Sequence, residues 1–249
     1  MPQANQIQRI RQPSSRFWSS RPTQGAGLGA SLSVAGSGNP RRPSEAQSAG
    51  VQSPTVRDIQ AVAGLLFEPA DIVELRAIGA RCRRMRIVKR WTPAADLPAM
   101  ADELAALNRQ GFGIYFGVNP RRQSGCSGDS NVRLARCLFA DMDDVEPGDG
   151  CGRFEFVYTD LMAAGLPEPT LAVHSGHGIH LYWRLDEPLD DLVLWQRIQS
   201  QLNERLGADK AIKNPERLMR LPGFWNTKRQ PYQDCFICWG VSYANGKIV

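Results

Sequence analysis

The sequence predicts an α+β protein, a mixed sheet with helices packed on one face, between residues 53 and 249. Three observations carry this. Short β-rich runs (113–118, the apolar run from Leu138 to Asp141, 169–174 and 178–185) alternate with helix-like stretches at 55–67, 96–109, 154–164 and 192–206. Ser175-Gly176-His177-Gly178 separates two alternating runs, a strong hairpin signal. Glycines at 111, 165 and 207 stand just past three of the helix-like stretches, where helices stop.

In chain order, Ser53-Pro54 opens the helix over 55–67, with proline in its first turn. Residues 71–90 mix short β-branched runs with a basic cluster: Arg76, Arg81, Arg83, Arg84, Arg86, Lys89 and Arg90. The cluster reads equally well as a solvated face or as a template- or phosphate-binding surface. A helix over 96–109 leads to the strand 113–118, which Asn119-Pro120 stops. Residues 121–131 are polar and glycine-bearing, a flexible loop before the strand that ends in Asp141-Met142-Asp143-Asp144. A loop over 145–152 precedes the helix 154–164. After the hairpin, Asp190 or Asp191 caps a helix that is apolar at 192, 195, 198, 202 and 206.

Residues 1–52 differ from the rest. They are rich in Ser, Gly, Pro and Gln and poor in large apolar residues, the composition of a segment that cannot offset its ordering entropy. Six arginines against one glutamate there account for the formal charge of +5 of the whole chain, so the remainder is balanced. The organisation expected is a disordered basic tail, 1–52, and one domain, 53–249. Such a tail offers nonspecific affinity for nucleic acid, or serves as a solvated leader. No apolar run approaches a membrane span, and six cysteines in 249 residues are not a disulfide framework, so cytoplasmic localisation without membrane association is expected. Cys235 and Cys238 have zinc-like spacing but no second pair follows, and strand cysteines rather than a zinc site are expected. Gly25–Ala30 fits a dinucleotide fingerprint only formally, since no strand precedes it.

Three stretches carry chemistry. Asp141 and Asp143, two apart at a strand end, aim two carboxylates at one point, which is costly unless a cation sits there. Hard oxygen ligands suit Mg²⁺ or Mn²⁺. The hairpin 174–180 holds all three histidines of the chain, with glycines that permit close backbone approach to an anion. Parity along its second strand places His180, Tyr182 and Arg184 on one face. A third stretch runs from Asp209 to Arg217–Lys228, where Arg220 and Lys228 are candidate phosphate contacts.

Together, Phe139-Ala140-Asp141-Met142-Asp143, Ser175–Trp183, Asp209 and Arg220–Lys228 resemble the archaeo-eukaryotic primase superfamily, in its RepB-like, primase-polymerase branch of plasmids, phages and mobile elements. The order and spacing match over roughly 65–230. The resemblance implies an RRM-like catalytic core, a mixed or antiparallel sheet packed on helices, with a small N-terminal α/β module. It implies a metal-dependent DNA primase/polymerase that makes or extends primers on single-stranded DNA. Asp141, Asp143 and Asp209 would hold two Mg²⁺ or Mn²⁺ ions. Ser175, His180, Arg220 and Lys228 would contact the phosphates of an NTP or dNTP. The chain has no Walker A motif, so a replicative helicase is expected on a separate chain or a longer parent polypeptide. Two alternatives compete: a relaxase-like nickase using Tyr182, and a catalytically inactive replication-origin-binding module.

Overall fold

The computed structural model describes residues 54–79, 86–143, 150–240, 243–244 and 247–248, with the side chains of Pro54, 150–153, Phe156 and the last four left aside. The tail 1–52 and the cationic residues Arg81, Arg83 and Arg84 lie outside the described residues.

Helix α1 (Pro54–Leu66) is followed by the hairpin β1 (Ile72–Gly79) and β2 (Arg86–Pro93). A 3-10 turn over Ala94–Met100 then leads into α2 (Ala101–Arg109), because Pro98 supplies no amide hydrogen to a longer α-helix. Next come β3 (Phe112–Gly117), β4 (Ala135–Met142), α3 (Gly150–Ala163), β5 (Leu171–His174), β6 (Ile179–Leu189) and α4 (Leu192–Leu206). Short strands complete the chain: β7 (Leu218–Arg220), β8 (Trp225–Asn226), β9 (Gln233–Asp234), β10 (Phe236–Trp239), β11 (Tyr243–Ala244) and β12 (Lys247–Ile248).

The α+β class holds, and the sheet read from the element order is two four-stranded sheets, β2-β1-β3-β7 and β10-β5-β6-β4, in which every pairing is antiparallel, in line with the antiparallel core and N-terminal module that the resemblance implies. The reason lies in the hairpin. Helix α3 connects β4 to β5, two strands that run the same way, but β6 folds back from the Ser175–Gly178 turn and inserts between them. Each becomes antiparallel to its new neighbour, a split βαβ arrangement. The first sheet is completed by β7, which arrives from the far end of the sequence to pair Arg220 with Tyr115.

The core is continuous. It joins Leu75, Ile114 and Phe116 of the first sheet to Phe139, Leu181, Tyr182 and Trp183 of the second, with Ile59, Leu66 and Trp195 from the helices. Burying each such side chain contributes about 1.5–3 kcal/mol, so the sheets are held chiefly by this shared apolar interior. A buried charged pair sits at the first sheet. Arg121 Nε donates to Glu74 Oε2 at 2.7 Å with both side chains fully buried, and Arg121 also reaches the carbonyls of Asn119 and Glu216. Segment 121–131 is thereby bolted down rather than flexible: Arg121 N donates to Ile72 O, Glu216 N to Asp129 Oδ1 and Gly128 N to Glu216 Oε2. In the basic cluster, Arg76 pairs with Glu74, Arg90 with Glu103, and Lys89 donates to Ser127. These three are structural contacts. Among the described residues no helix is long and apolar enough to cross a membrane.

Candidate active site

Strand β4 is the edge of its sheet, and an open edge needs partners. Its outward groups belong to alternate residues, and each meets a different donor or acceptor. Trp195 Nε1 donates to Cys137 O at 3.0 Å; Gln199 accepts from Phe139 N and donates to Phe139 O; Asp209 N donates to Asp141 O at 3.4 Å. Trp195, Gln199 and Asn203 lie four apart along one face of α4, and Asn203 Nδ2 donates to the carbonyls of Asp209 and Ile212. One helix therefore seals the strand that ends in Asp141 and fixes the loop that carries Asp209.

Directly across β4, His180 of β6 is the register partner of Asp141. His180 Nε2 lies 3.5 Å from Asp141 Oδ1, within ion-pair distance, yet Asp141 Oδ1 is buried with no hydrogen-bond partner among the described residues. Burial pushes the Asp141 carboxyl above its ordinary range; Arg217 opposes that, the neighbouring Asp209 reinforces it, and Arg220 and Lys228 pull it back. The same burial, with the charge of Arg220, drives His180 down to about 3, while Asp143 pulls the other way. His180 is therefore neutral at neutral pH. Tyr182 Oη sits 3.4 Å from His180 Nδ1, and burial holds the phenol protonated far into alkali. The phenol and Nδ1 share one hydrogen bond, and Nε2 is the ring nitrogen that faces Asp141.

The hairpin turn is built to approach the acids. A Cβ on Gly178 would run into Met142 O and crowd the Cα of Asp143, so only glycine lets this turn seat against the end of β4. Gly176 has φ +97°, and a Cβ there would meet Asn226 Cβ at 2.8 Å. Ser175 Oγ donates to Gly178 O at 3.1 Å and accepts from Gly178 N at 3.3 Å. The hydroxyl expected to touch phosphate is thus turned inward, bracing the turn, because the tight turn brings Gly178 within its reach.

The structure brings together six of the seven predicted site residues as neighbours through bonds or charge: Asp141, Asp143, Asp209, His180, Arg220 and Lys228. Asp209 and Lys228 are exposed and Arg220 is buried. Arg220 lies over the Tyr115 ring, its guanidinium carbon 4.8 Å from the centroid. Two residues were not assigned roles from sequence. Arg217, though within the quoted run, is the strongest cation on Asp141. Asn226 Nδ2 donates to Ser175 O at 2.7 Å and ties the last motif to the hairpin. Its place in the Arg220–Lys228 run was the available signal for it.

Among the described residues no group of three His, Cys, Asp or Glu closes into a metal cage. The donor set still fits a hydrated divalent ion: Mg²⁺ takes one or two carboxylates, keeps its waters and uses substrate phosphates for the rest. The bare Asp141 Oδ1 is the oxygen such an ion would satisfy. The cysteines serve elsewhere: Cys235 and Cys238 approach the carbonyls of Leu221 and Ala172.

No family model and no curated protein matches the sequence. Solved structures do. The chain is similar to the AEP domain of the cyanophage S-2L primase-polymerase, at 25% identity and TM-score 0.56, over 75% of this chain and 92% of that one. It is similar in fold to primase RepB' (20% identity, TM-score 0.56, 78% of this chain and 57% of that chain). It is likewise similar to the catalytic domain of primase RepB' in complex with initiator DNA (20%, 0.55, 78% and 87%).

Proposed function

We propose that the chain is a member of the archaeo-eukaryotic primase superfamily and a DNA primase/polymerase, forming or extending primers on single-stranded DNA in plasmid, phage or mobile-element replication. The observation that carries this reading is the buried Asp141 carboxylate, bare at Oδ1, set opposite neutral His180 and beside Asp209.

In this reading Asp141, Asp143 and Asp209 hold the divalent cations, Mg²⁺ or Mn²⁺. When bound, these supply Lewis acidity at the attacking 3′-hydroxyl and neutralise charge at the leaving pyrophosphate. The side chains do the rest. His180 donates its Nε2 proton to a phosphate oxygen of the incoming NTP or dNTP. Its neutrality leaves that role a hydrogen bond rather than a charge. Arg220, anchored on Tyr115, and Arg217 supply the positive charge, with Lys228 reaching in from the exposed hairpin. Ser175 shapes the turn whose backbone faces the phosphates. Residues 53–249 are the catalytic domain, the basic residues 1–52 an arm with affinity for nucleic acid, and a replicative helicase acts from another chain or a longer parent polypeptide. A cytoplasmic setting suits such a protein.

A nickase is disfavoured by Tyr182, which is 0% exposed and cannot reach a DNA phosphate. An inactive origin-binding module would have no use for a buried carboxylate oxygen without a hydrogen-bond partner, with the charge of a second acid, Asp209, acting on it. Unprimed single-stranded DNA, labelled nucleotides and Mg²⁺ or Mn²⁺ test the reading. Labelled oligomers made by the parent chain and by Tyr182→Phe, but not by Asp141→Ala, support it. DNA cleavage lost in Tyr182→Phe, or binding with no product in any variant, would sink it.

A further inference from the structure

The β8–β9 hairpin carries a feature that the chemistry above does not use. Trp225 is 46% exposed, yet its backbone is gripped on both sides: Asn108 Nδ2 donates to Trp225 O at 3.0 Å, and Trp225 N donates to Asn108 Oδ1 at 2.9 Å. Asn108 is itself buried. Strand alternation sends Asn226 inward to the Ser175 turn and leaves Trp225 outward. Across the hairpin, the Tyr232 ring lies with its centroid 6.5 Å from that of Trp225 and its plane tilted 36°. Lys228 and Arg229, both exposed, stand between them in the sequence, and the charge of Lys228 is felt at Asp141.

A rigidly held aromatic pair beside solvated cations suits a ligand with both open π-faces and negative charge. Unpaired nucleic acid has both, whereas a duplex hides its base faces. We propose that Trp225 and Tyr232, with Arg229, form a stacking platform for unpaired bases of the single-stranded DNA template next to the active site. This deepens the primase/polymerase reading and rests on it for the identity of the strand. Trp225 and Tyr232 take the bases, Arg229 a backbone phosphate, and Asn226 keeps the platform in register with the Ser175 turn.

The test is binding of fluorescein-labelled oligo-dT to the full chain in EDTA without nucleotide. Trp225→Ala should weaken binding by about ten-fold or more, as loss of a stacked base does, while Trp225→Phe stays within about three-fold of the parent. Arg229→Ala should flatten the salt dependence by about one phosphate contact. Oligo-dT should quench part of the tryptophan emission of the parent, and that part should vanish in Trp225→Phe, which decides the matter if Trp225→Ala fails to fold. Unchanged affinity in Trp225→Ala, or equal weakening toward single strand and duplex, would overturn the platform. A chain that binds through Trp225 yet makes no product would keep the platform and remove the polymerase; product made with no dependence on Trp225 would do the reverse.

Discussion

Asp141 is marked by what one of its oxygens lacks. A carboxylate with a buried oxygen and no hydrogen-bond donor is destabilised in its charged form, and a cation is the group that relieves it. The residue that lets the Ser175–Gly178 turn come near is Gly178, whose missing side chain makes room for Met142 O. Gly178→Ala should therefore abolish nucleotide incorporation and lower the melting temperature by several degrees. Gly64, in α1, is the contrasting case, since a Cβ there would have no neighbour within 4 Å. Gly64→Ala should raise stability by about 0.5–1 kcal/mol in urea unfolding and leave activity intact. At this scale the sequence was informative: Asp141, Asp143, His180 and Asp209 stood out by spacing and motif. For Ser175 the motif gave the position but not the hydroxyl's partners in its own turn, Gly178 O and N, because these depend on dihedral angles that spacing does not encode.

Helix α4 shows how an element can be foreseen while its task is not. Its apolar period and its cap were plain, and Asp191 does accept from the amides of Val193 and Leu194. The face that matters is partly polar. Gln199 is fully buried and satisfies both backbone groups of Phe139, two residues before Asp141. A period of apolar positions directs attention away from such a residue, and only the discovery that β4 is an edge strand explains it. Gln199→Leu leaves a buried N–H and a buried C=O without partners, each costing about 1–3 kcal/mol. Chemical denaturation should show a loss of about 2–6 kcal/mol, with activity falling further than the fraction unfolded, because Asp141 and Asp209 both lean on α4. Wild-type stability in this variant would refute the edge-sealing role.

At the scale of the whole molecule, the two four-stranded sheets of the described residues share one interior, with β7 bringing Arg220 from the late sequence to the early sheet. The number of sheets was hidden from the sequence because strand order is a long-range property: β6 inserts between β4 and β5, and nothing local announces it. Helix α1 takes part in this closure through Thr55, which donates to Gly223 O at 2.9 Å. One turn on, burial raises the Asp58 carboxyl to about 6, against a bond from the backbone of Ile237 that lowers it. The folded state thus holds a proton that the unfolded chain, titrating near 3.8, releases. Stability from this group is complete below pH 3.8 and is lost as the pH rises through 6. Asp58→Asn should accordingly raise the melting temperature at pH 8 and change it little at pH 4; an equal gain at both values would contradict the assignment.

The most direct measurement of the central claim is template-directed synthesis on unprimed homopolymers. The parent chain, given oligo-dT or oligo-dC with Mg²⁺ or Mn²⁺ and all labelled nucleotides, should incorporate only the complementary base, and Asp141→Asn should incorporate none. Product that ignores the template, or that persists in Asp141→Asn, would contradict the assignment of this site to template-dependent nucleotidyl transfer.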